Sequence, residues 1–435
     1  MSGSRGPAQR LRGHRIESGD FACSAVSMFP CTHGEPPVRL GAREKAGART
    51  PGDTATRPPE ARGHVVLGAP ARLVELPKSI LENTAGRSFA SVVEGKQQVT
   101  AGCLFSGMGG FASGLAEAGF AIRWANDNDE SACTTFRHRF PGVPVIKKDV
   151  RKLSVQADGL TVVHVLAAGF PCQSFSQAGG RRGFEDPRGA LFFEIPRLIE
   201  EYRPEGRPWL VILENVPHLL YGASGIWFDQ VRRALRRAGY WFREESCWTV
   251  NVKDATDSPQ DRERLFMVAA SRRRFTHNPF SPPPAANGAG AAPRPIEEFV
   301  DRTQRGAEDA YLPPDNRYYK MIDRAMADGE SDANIYQLRR SYVREKKRGL
   351  CPTLTANMGN GGHNVPFVRD AWGIRRLSVD EVARLQGFDD ADKLFPNMPA
   401  AEQYRLLGNS VCVGLAHLVG KICAAILNRE TASNE

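Results

Sequence analysis

One cysteine in this sequence has the surroundings of a reactive group. Cys172 lies in the segment Gly169 to Ser176 (GFPCQSFS), directly after the apolar run Leu160 to Ala167. Such a run is typical of a buried parallel strand, so the thiol should lie just past a strand's carboxyl end, where open α/β sheets place their chemistry. Pro171 fixes φ before the cysteine and stiffens the loop. Cys172 is therefore a candidate nucleophile, and a buried structural cysteine is the alternative.

Charged side chains follow the next predicted strands. Glu214 comes directly after the apolar run Trp209 to Leu213, so it should reach the same edge of the sheet as the cysteine. Further along, the polar turn Ser258 to Arg264 separates the predicted strands Trp241 to Val252 and Leu265 to Ala270. A solvated surface loop is one interpretation of this turn. The sequence thus predicts a thiol and a carboxyl group at one sheet edge.

A glycine-rich turn indicates a nucleotide pocket. The predicted strand Val99 to Phe105 runs into Ser106 to Ala112 (SGMGGFA), and a predicted helix follows through Ala118. Glycines between a strand and a helix let the backbone approach a ligand closely, and the helix N-terminus offers free N–H groups. We expect a nucleotide-like cofactor at this junction.

Two acidic residues at strand ends extend the pattern. Asp127 lies at the tip of the second predicted strand, where dinucleotide folds hold a ribose diol. The alternative is an N-cap of the predicted helix Glu130 to Phe136. Asp149 closes a third predicted strand and could reach an adenine edge. This spacing fits NAD as well as any other adenosine cofactor.

The segments that follow differ in composition. Gly179 to Gly189 is rich in Gly and Arg and could close over a substrate as a lid; an ordinary surface connection is the alternative. Residues 276–296 have the composition of a linker and precede a separate small module. That module holds the basic run Arg339 to Arg348, which could equally be a solvated helix face. It also holds Pro352 to Asn364, whose small donors and acceptors suit contacts to base edges.

The end of the chain should rejoin the sheet. A capping box, Ser378 to Glu381, opens a helix that Gly387 ends. The apolar spacing from Val411 to Ile426 predicts a long amphipathic helix that must bury its face against the sheet. The predicted organisation is therefore discontinuous: a basic extension (1–98), the first catalytic part (99–275), a linker and recognition domain (276–370), a returning catalytic part (371–428) and a tail (429–435).

The length and the charge of the chain limit its possible functions. The 435 residues suit two or three domains, and no run approaches the roughly 18 apolar residues that span a bilayer. The net charge is +9, but residues 1–98 hold 14 Lys and Arg against 9 Asp and Glu, so the basic bias is weak evidence for nucleic acid. We expect residues 1–98 to be mostly disordered; a basic arm on DNA phosphates is the alternative.

The nine cysteines are widely scattered and contain no Cys-x-x-Cys. This distribution argues against a disulfide framework and against a zinc site, so no metal is expected. A reducing cytoplasm fits best.

Taken in order, these motifs resemble the DNA (cytosine-5) methyltransferase family. The resemblance spans Val99 to about Leu427, and its single modest module resembles the bacterial restriction-modification type. It implies a doubly wound, Rossmann-like, mostly parallel sheet with an inserted target-recognition domain, and S-adenosylmethionine as methyl donor. The motifs that carry it are Phe105 to Gly110, Asn126 with Asp127, Gly169 to Ser176, Gly183 to Gly189, Glu214 to Val216, Gln260 to Arg264, Arg375 to Phe388 and Gly408 to Val411.

The resemblance implies a covalent mechanism. Cys172 would add as a thiolate to C6 of cytosine, which makes C5 able to accept a methyl group. Glu214 would need a proton at physiological pH in order to donate to N3, and a dry pocket that raises its pKa would supply this condition. Arg264 would hold O2 with a fixed positive charge, and Arg262 belongs to the same catalytic motif. Because the base is out of reach inside a duplex, it must be flipped out, at a cost of roughly a few kcal/mol.

The resemblance also assigns binding residues. Toward the cofactor, Phe105 would contact adenine, Asp127 the ribose and Asp149 the adenine amino group; the remaining residues on this side are Gly107, Gly109, Gly110, Asn128, Asn409 and Ser410. Toward DNA, the residues are Gln173, Ser176, Arg188, Thr353 and Thr355. Cys103 departs from the family pattern, which often has Asp or Glu there, and this puts one cofactor contact in doubt.

Other functions remain possible from the sequence. A non-catalytic DNA-binding paralogue would keep the fold, and an NAD-dependent oxidoreductase would use Gly107, Gly109, Ala112 and Asp127 as its fingerprint. The oxidoreductase leaves Cys172 and the basic module without a role. A tRNA substrate is disfavoured, because the branch of the family that uses tRNA has a different sequence around its cysteine. The expected partners are double-stranded DNA and a possible cognate restriction endonuclease, with the enzyme acting as a monomer.

Overall fold

A mostly parallel sheet lies at the centre of the fold. The computed structural model describes residues 98–176, 182–280, 292–359, 363–389 and 393–432. Within these ranges, the central sheet has the strand order β3-β2-β1-β4-β5-β9-β6, and β7 also pairs with β9. The strands up to residue 271 are β1 (Thr100–Leu104), β2 (Ala121–Asp127), β3 (Val145–Lys147), β4 (Val165–Gly169), β5 (Leu210–Asn215), β6 (Tyr240–Trp241), β7 (Cys247–Asn251), β8 (Gln260–Asp261) and β9 (Glu263–Ser271).

The strand order reverses next to β1. Strands β1 to β5 pair in parallel, and β9 is antiparallel to both β5 and β6. The chain moves outward from β1 to β3 and then returns to place β4 on the other side of β1. Open α/β sheets bind ligands at the carboxyl ends of the strands beside such a switch. The predicted fold class, a doubly wound and mostly parallel α/β sheet, is confirmed.

Helices cover both faces of this sheet. One buried apolar cluster joins Ala101 and Ala167 to Leu115, and a second joins Leu166 and Leu213 to Val231. Each side of the strands is therefore apolar, as expected for parallel strands buried on both faces. The helices up to residue 255 are α1 (Gly110–Glu117), α2 (Glu130–Arg139), α3 (Pro187–Ala190), α4 (Glu194–Glu201), α5 (His218–Tyr221), α6 (Ile226–Arg237) and α7 (Val252–Ala255).

A small antiparallel sheet follows. Its strand order is β11-β10-β13-β14, and helix α8 (Arg317–Ala327) packs on one of its faces. A separate short strand, β12, pairs in parallel with β8 and so joins this module to the strand that precedes β9. The strands here are β10 (Ile335–Leu338), β11 (Val343–Lys346), β12 (Cys351–Pro352), β13 (Pro366–Asp370) and β14 (Gly373–Arg376).

Three helices close the chain: α9 (Val379–Leu385), α10 (Ala400–Asn409) and α11 (Val413–Ala432). The predicted capping box of α9 is present, because Ser378 accepts from the Glu381 N–H while the Glu381 carboxylate accepts from the Ser378 N–H. Helix α11 packs against α1 in the core beside β1, so the end of the chain does return to the central sheet.

One helical stretch is apolar enough to cross a membrane. Ala400–Arg429, which combines α10 and α11, has the length and the mean hydropathy for this, but it contains no uninterrupted run of about 18 apolar residues. However, 67% of its most apolar window is buried inside the protein, as in a core helix.

The structure corrects three predicted elements. The strand predicted from Leu160 begins only at Val165, because the chain before it lies at the sheet margin with Val162 60% exposed. The strand predicted over 241–252 is divided into β6 and β7 by a helical turn at Glu244–Ser246. The basic run 339–348 forms the β10–β11 hairpin, so its interpretation as a helix face is wrong.

Candidate active site

A cleft of about 410 Å³ opens at the carboxyl ends of β1, β2, β4 and β5. It lies at the switch in strand order, where the fold predicts a ligand. Helix α10 contributes to its wall through Arg405 and Leu406. The predicted site residues that line it are Phe105, Gly107, Asp127, Asn128, Asp149, Cys172, Gln173, Arg188, Glu214, Arg262, Arg264 and Asn409.

Six predicted site residues lie outside this lining: Gly109, Gly110, Ser176, Thr353, Thr355 and Ser410. The two glycines have structural reasons to be glycine. Gly109 has φ +99°, and a Cβ on Gly110 would lie 2.2 Å from the Val411 carbonyl oxygen. Gly110 therefore lets the start of α1 approach the residues just before α11.

The Cys172 loop is a tight turn held from β5. The Cys172 carbonyl accepts from the N–H groups of Phe175 and Ser176 at 3.0 and 2.9 Å. Fully buried Asn215 donates its Nδ2 to the Phe170 carbonyl at 3.0 Å. Asn215 was not assigned a role from the sequence, although it lies between Glu214 and Val216 in a quoted motif. Its contact fixes the segment that presents the thiol.

A carboxyl group and a guanidinium group meet beside this thiol. Glu214 Oε1 lies 3.1 Å from Arg264 Nε, and both side chains are largely buried. Gly169 lies opposite Glu214 in the β4–β5 register, so no β4 side chain covers the carboxyl group. Burial raises the pKa of Glu214, while the positive charges of Arg264 and Arg262 act in the opposite direction. The carboxyl group thus holds a proton more readily than an exposed glutamate.

Burial and the nearby charges act in different directions on the thiol. Burial raises the pKa of Cys172; Arg264 lowers it, Glu214 raises it and Arg262 lowers it. The net effect favours the neutral thiol over the thiolate.

Arg262 holds the backbone around the cleft. Its Nη1 donates to the Leu354 carbonyl at 2.7 Å, and its Nη2 donates to the carbonyls of Gly408 and Ser410 at 3.3 and 2.9 Å. Burial, followed by the nearby charge of Arg264, lowers the pKa of Arg262 to about 9. The guanidinium group of Arg262, which we expected to be catalytic, thus connects its own strand region to the segment at Leu354 and to the end of α10.

The acid at the tip of β2 supports the glycine turn. Asp127 Oδ2 accepts from the Gly107 N–H at 2.8 Å, and Oδ1 accepts from the Asp129 N–H at 3.0 Å. Asp129 is the N-cap of α2 through the Ala132 N–H, so the interpretation of Asp127 as that cap is wrong. Burial raises the pKa of Asp127, with the N–H groups of Asp129 and Gly107 acting against it.

Phe105 adopts an uncommon backbone conformation. Its φ is +51°, in the left-handed region that few non-glycine residues enter. Strain of this kind persists only where the surroundings impose it, and it concentrates at ligand sites. Here it accompanies a ring that lines the cleft beside Gly107.

The rim of the cleft near β2 carries three ion pairs. Asp149 accepts from the Arg151 guanidinium and caps the turn that follows it. Arg405 of α10 donates to Asp129 at 2.8 Å and also pairs with Glu402. Arg405 was missed from the sequence, because it lies 276 residues from Asp129 and no local pattern indicates the contact.

Cys103 does not face the cleft. It is 1% exposed within the apolar core beside β1, and burial raises its pKa to about 12. The departure from the family pattern therefore alters the core and no residue of the cleft lining. The cysteines in the part of the chain that the structure describes are all unpaired.

The two threonines predicted to contact DNA lie in the segment that follows β12. Thr353 Oγ1 donates to the Asp261 carbonyl at 2.7 Å, and Thr355 Oγ1 donates to Asn357 at 2.7 Å. Buried Gln260 accepts from the Leu354 N–H and donates to the Leu385 carbonyl. The motif that carries Arg264 thus also fastens the threonine segment to the central sheet.

Part of the predicted lid is described. Residues 177–181 lie outside the described residues, so the interpretation of Gly179 to Gly189 rests on its second half. There Asp186 caps α3 and pairs with Arg188 at 2.8 Å, and this contact lowers the pKa of Asp186. Gly183 has φ +53° and lies so close to Trp227 that no side chain fits. This half is anchored, and it presents Arg188 to the cleft.

Comparisons with known proteins agree with one another. The family model described as C-5 cytosine-specific DNA methylase matches residues 100–425. Type II methyltransferase M.Bsp6I from Bacillus sp. (strain RFL6) is 37% identical over 317 residues, which cover 71% of this chain and 93% of the relative. Type II methyltransferase M.Eco47II from Escherichia coli is 30% identical over 345 residues, covering 75% and 79%.

Solved structures share the fold. The crystal structure of S. pombe Dnmt2 methyltransferase superposes with a TM-score of 0.55 and 17% identity, over 76% of this chain and 99% of that one. A putative DNA modification methyltransferase from an E. coli prophage gives a TM-score of 0.55 at 20% identity, over 76% and 99%.

Proposed function

The chain belongs to the family of C-5 cytosine-specific DNA methylases, and we propose that it transfers a methyl group from S-adenosylmethionine to C5 of a flipped-out cytosine within a short duplex sequence. One observation carries the proposal. The Cys172 thiol and the Glu214–Arg264 pair lie in the same cleft as Phe105 and Asp127, so a reactive group and a nucleotide-like pocket share one space.

The residues at the β2 end of the cleft fit the cofactor. Asp127 has a half-buried carboxyl group that can accept from ribose hydroxyls, Phe105 offers a ring face for adenine, and Asp149 offers an acceptor for the amino group. Gly107 places its N–H against Asp127 and leaves backbone exposed to the methionine part. When bound, the cofactor supplies an electrophilic methyl group.

Cys172 begins the reaction. Its sulfur forms a bond to C6 of the base as the thiol proton passes to solvent. The C5–C6 double bond shifts to C4–C5 and N3 takes up a proton, so C5 gains enamine character. After C5 is methylated, loss of the C5 proton and expulsion of the Cys172 thiolate restore the aromatic ring. The raised pKa of Cys172 is consistent with a thiol that reacts only when the base is in place.

Glu214 and Arg264 stabilise the charge that this addition creates. Addition at C6 pushes negative charge toward N3 and O2 of the ring. A protonated Glu214 donates to N3, and Arg264 holds O2 with a positive charge that acts strongly in a partly dry site. Arg262 is a positioning residue in this proposal, because its Nη1 and Nη2 groups donate to backbone carbonyls.

The proposed substrate is double-stranded DNA, from which the target base is extruded into the cleft. Gln173, Ser176 and Arg188 are proposed to contact DNA from the Cys172 side, and Thr353 and Thr355 from the module side. Relatives named Type II methyltransferases support a role as the modification enzyme of a restriction-modification system, which would protect sites cut by a cognate endonuclease. We propose that the enzyme acts as a monomer.

The first test compares the parent chain with Cys172→Ala. Methyl transfer from labelled S-adenosylmethionine to a mixed-sequence duplex should fall at least about a thousandfold in the variant, because the nucleophile is gone. Bisulfite sequencing of the parent's product should place the label at cytosines in one short context. Cys247→Ala, which removes a buried thiol of β7 outside the cleft, should retain activity.

A trapping experiment tests the covalent step directly. A duplex with 5-fluorocytosine cannot lose its C5 substituent as a proton, so the parent should remain bound to it in denaturing gels and Cys172→Ala should not. Equal labelling of DNA by the parent and by Cys172→Ala would refute the assigned nucleophile. If the parent labels none of the duplexes tested, the proposed function is refuted.

A further inference from the structure

The β10–β11 hairpin presents arginines in an unusual setting. Gln337 and Arg344 are directly opposite in the antiparallel register, and Gln337 is 1% exposed. Gln337 Oε1 accepts from Arg344 Nη2 at 2.7 Å and from Arg339 Nη1 at 3.5 Å. Asn364 Oδ1 accepts from Arg339 Nη1 at 2.8 Å. We call Gln337, Arg339, Arg344 and Asn364 the amide–arginine cluster.

Neutral amides, and no carboxylates, hold these two arginines. Three other arginines of the module pair with acids: Arg305 with Glu308, Arg369 with Asp323, and Arg376 with Asp309. Among the described residues, neither Arg339 nor Arg344 lies within ion-pair distance of an acid. Their positive charges are fixed in position and remain uncompensated. Burial of the Gln337 amide is tolerated because the arginines satisfy its oxygen.

The cluster lies on the hairpin face that connects to the catalytic cleft through Lys346. Successive residues of a strand point to opposite faces, so Arg344 shares a face with Lys346. Lys346 pairs with Asp261, whose carbonyl accepts from Thr353 and whose neighbour Arg262 lines the cleft. The other face of the hairpin is closed, because Tyr336 and Leu338 pack in the cluster beneath α8.

We propose that the amide–arginine cluster reads a guanine in the major groove next to the target cytosine, with Arg344 as the base-contacting residue and Gln337 as its positioning residue. This inference rests on the proposed function, since it names a specificity determinant of the same reaction. A guanidinium fork matches the paired acceptors O6 and N7 of guanine, and an arginine held in advance loses less freedom on binding. Gln337 accepts from Nη2 of Arg344, which carries two hydrogens, so the second Nη2 hydrogen and the donor beside it on the free edge of the guanidinium remain for this contact.

The test compares the full-length parent with Arg344→Ala, Arg344→Lys and Arg340→Ala. Arg340 is an exposed arginine at the tip of the same hairpin with no ion pair to a described acid, so its removal deletes the same charge outside the cluster. Each protein is used to select duplexes from a random pool by binding and to methylate a mixed-sequence duplex, with bisulfite mapping. Thermal unfolding of each variant reports folding.

We expect the parent to require guanine at one fixed position. Arg344→Ala should lose discrimination there by about tenfold to a hundredfold, the range for one bidentate contact. Arg344→Lys should keep binding strength better than discrimination, because it retains the charge and loses the fork. Arg340→Ala should weaken binding to all sequences equally and keep the parent's sequence context.

A second variant tests the positioning residue. Gln337→Glu keeps the shape and the acceptor oxygens but neutralises the arginine pair, so it should weaken DNA binding and flatten its dependence on salt. Identical sequence contexts for the parent and Arg344→Ala would overturn the inference while the proposed function stands. A parent that selects a guanine-containing duplex but methylates none would refute the function, and loss of that selection in Arg344→Ala would still support the inference.

Discussion

At the residue scale, the site combines two groups whose pKa is raised, Cys172 and Glu214, with two guanidinium groups. Burial raises the pKa of both Cys172 and Glu214, and Arg264 and Arg262 oppose this effect in each case. The desolvation is the larger influence on both groups. A neutral carboxyl group in such a place can donate a hydrogen bond at a pH where an exposed glutamate cannot.

The raised pKa of Glu214 has a consequence for stability. The folded protein binds the Glu214 proton more tightly than the unfolded chain does, and this difference adds to the free energy of unfolding. The added free energy is complete below the ordinary glutamate pKa of about 4.3, and it is lost as the pH rises through the pKa of Glu214 in the folded protein. Glu214→Gln removes the titration and keeps the shape. The free energy of unfolding of Glu214→Gln, relative to the parent, should therefore rise between about pH 4 and pH 8.

Urea unfolding of both proteins at several pH values measures this difference. Glu205→Gln, a change at an exposed glutamate, serves as the control and should show no such trend. A relative stability that stays constant or falls with pH would show that burial does not raise the pKa of Glu214.

At the scale of elements, a buried ion network joins β14 to α9. Arg375 is 2% exposed and donates to Asp370 at 2.9 Å and to both oxygens of Glu381 at 2.9 Å. It also donates to the Asp301 carbonyl. Glu381 completes the capping box of α9, so one carboxylate serves both the helix start and the network.

Removal of Arg375 should be costly. Arg375→Met leaves two carboxylates buried without their partner, which is expected to reduce the free energy of unfolding by about 3–5 kcal/mol. The matched control is Arg376→Met at the next residue, whose partner Asp309 is exposed and whose loss should cost under about 1 kcal/mol. Urea unfolding followed by circular dichroism measures both, and equal losses in the two variants would contradict this account.

At the scale of the whole molecule, the two ends of the described chain meet through small residues. Helix α1 and helix α11 approach so closely that a Cβ on Gly114 would lie 2.5 Å from the His417 nitrogen and from the Val413 carbonyl oxygen. Both neighbours are backbone atoms, which cannot rotate away. The helix that follows the nucleotide turn is thus held by residues about 300 positions later in the sequence.

Gly114→Ala tests this contact. Alanine favours a helix by about 1 kcal/mol over glycine, but the backbone clash should outweigh this gain and leave a net loss of roughly 1–3 kcal/mol. Gly142→Ala, where a Cβ meets nothing within 4 Å, should be neutral or slightly stabilising. Thermal and urea unfolding of the two variants give the comparison, and a Gly114→Ala variant as stable as Gly142→Ala would contradict the close packing.

The sequence by itself determined the order of the chemical groups and the edge of the sheet on which they lie. Cys172, Glu214 and Asp127 each follow an apolar run, and parallel strands bring their carboxyl ends to one edge, so local pattern was sufficient to predict their shared cleft. It also predicted the α9 capping box, because that motif is encoded within four residues.

Only the tertiary structure decided which residues hold these groups in place. Asp129 with Arg405, Arg262 with the Ser410 carbonyl, and Gln337 with Arg344 across the hairpin are set by strand register and helix packing. No local sequence pattern predicts these contacts, because the spacing between the two partners follows neither helical nor strand periodicity. A polar side chain with several donors also has many possible partners before the chain folds. Local sequence pattern therefore predicts where the candidate catalytic residues lie. The packing of the folded chain decides which other residues hold them in position.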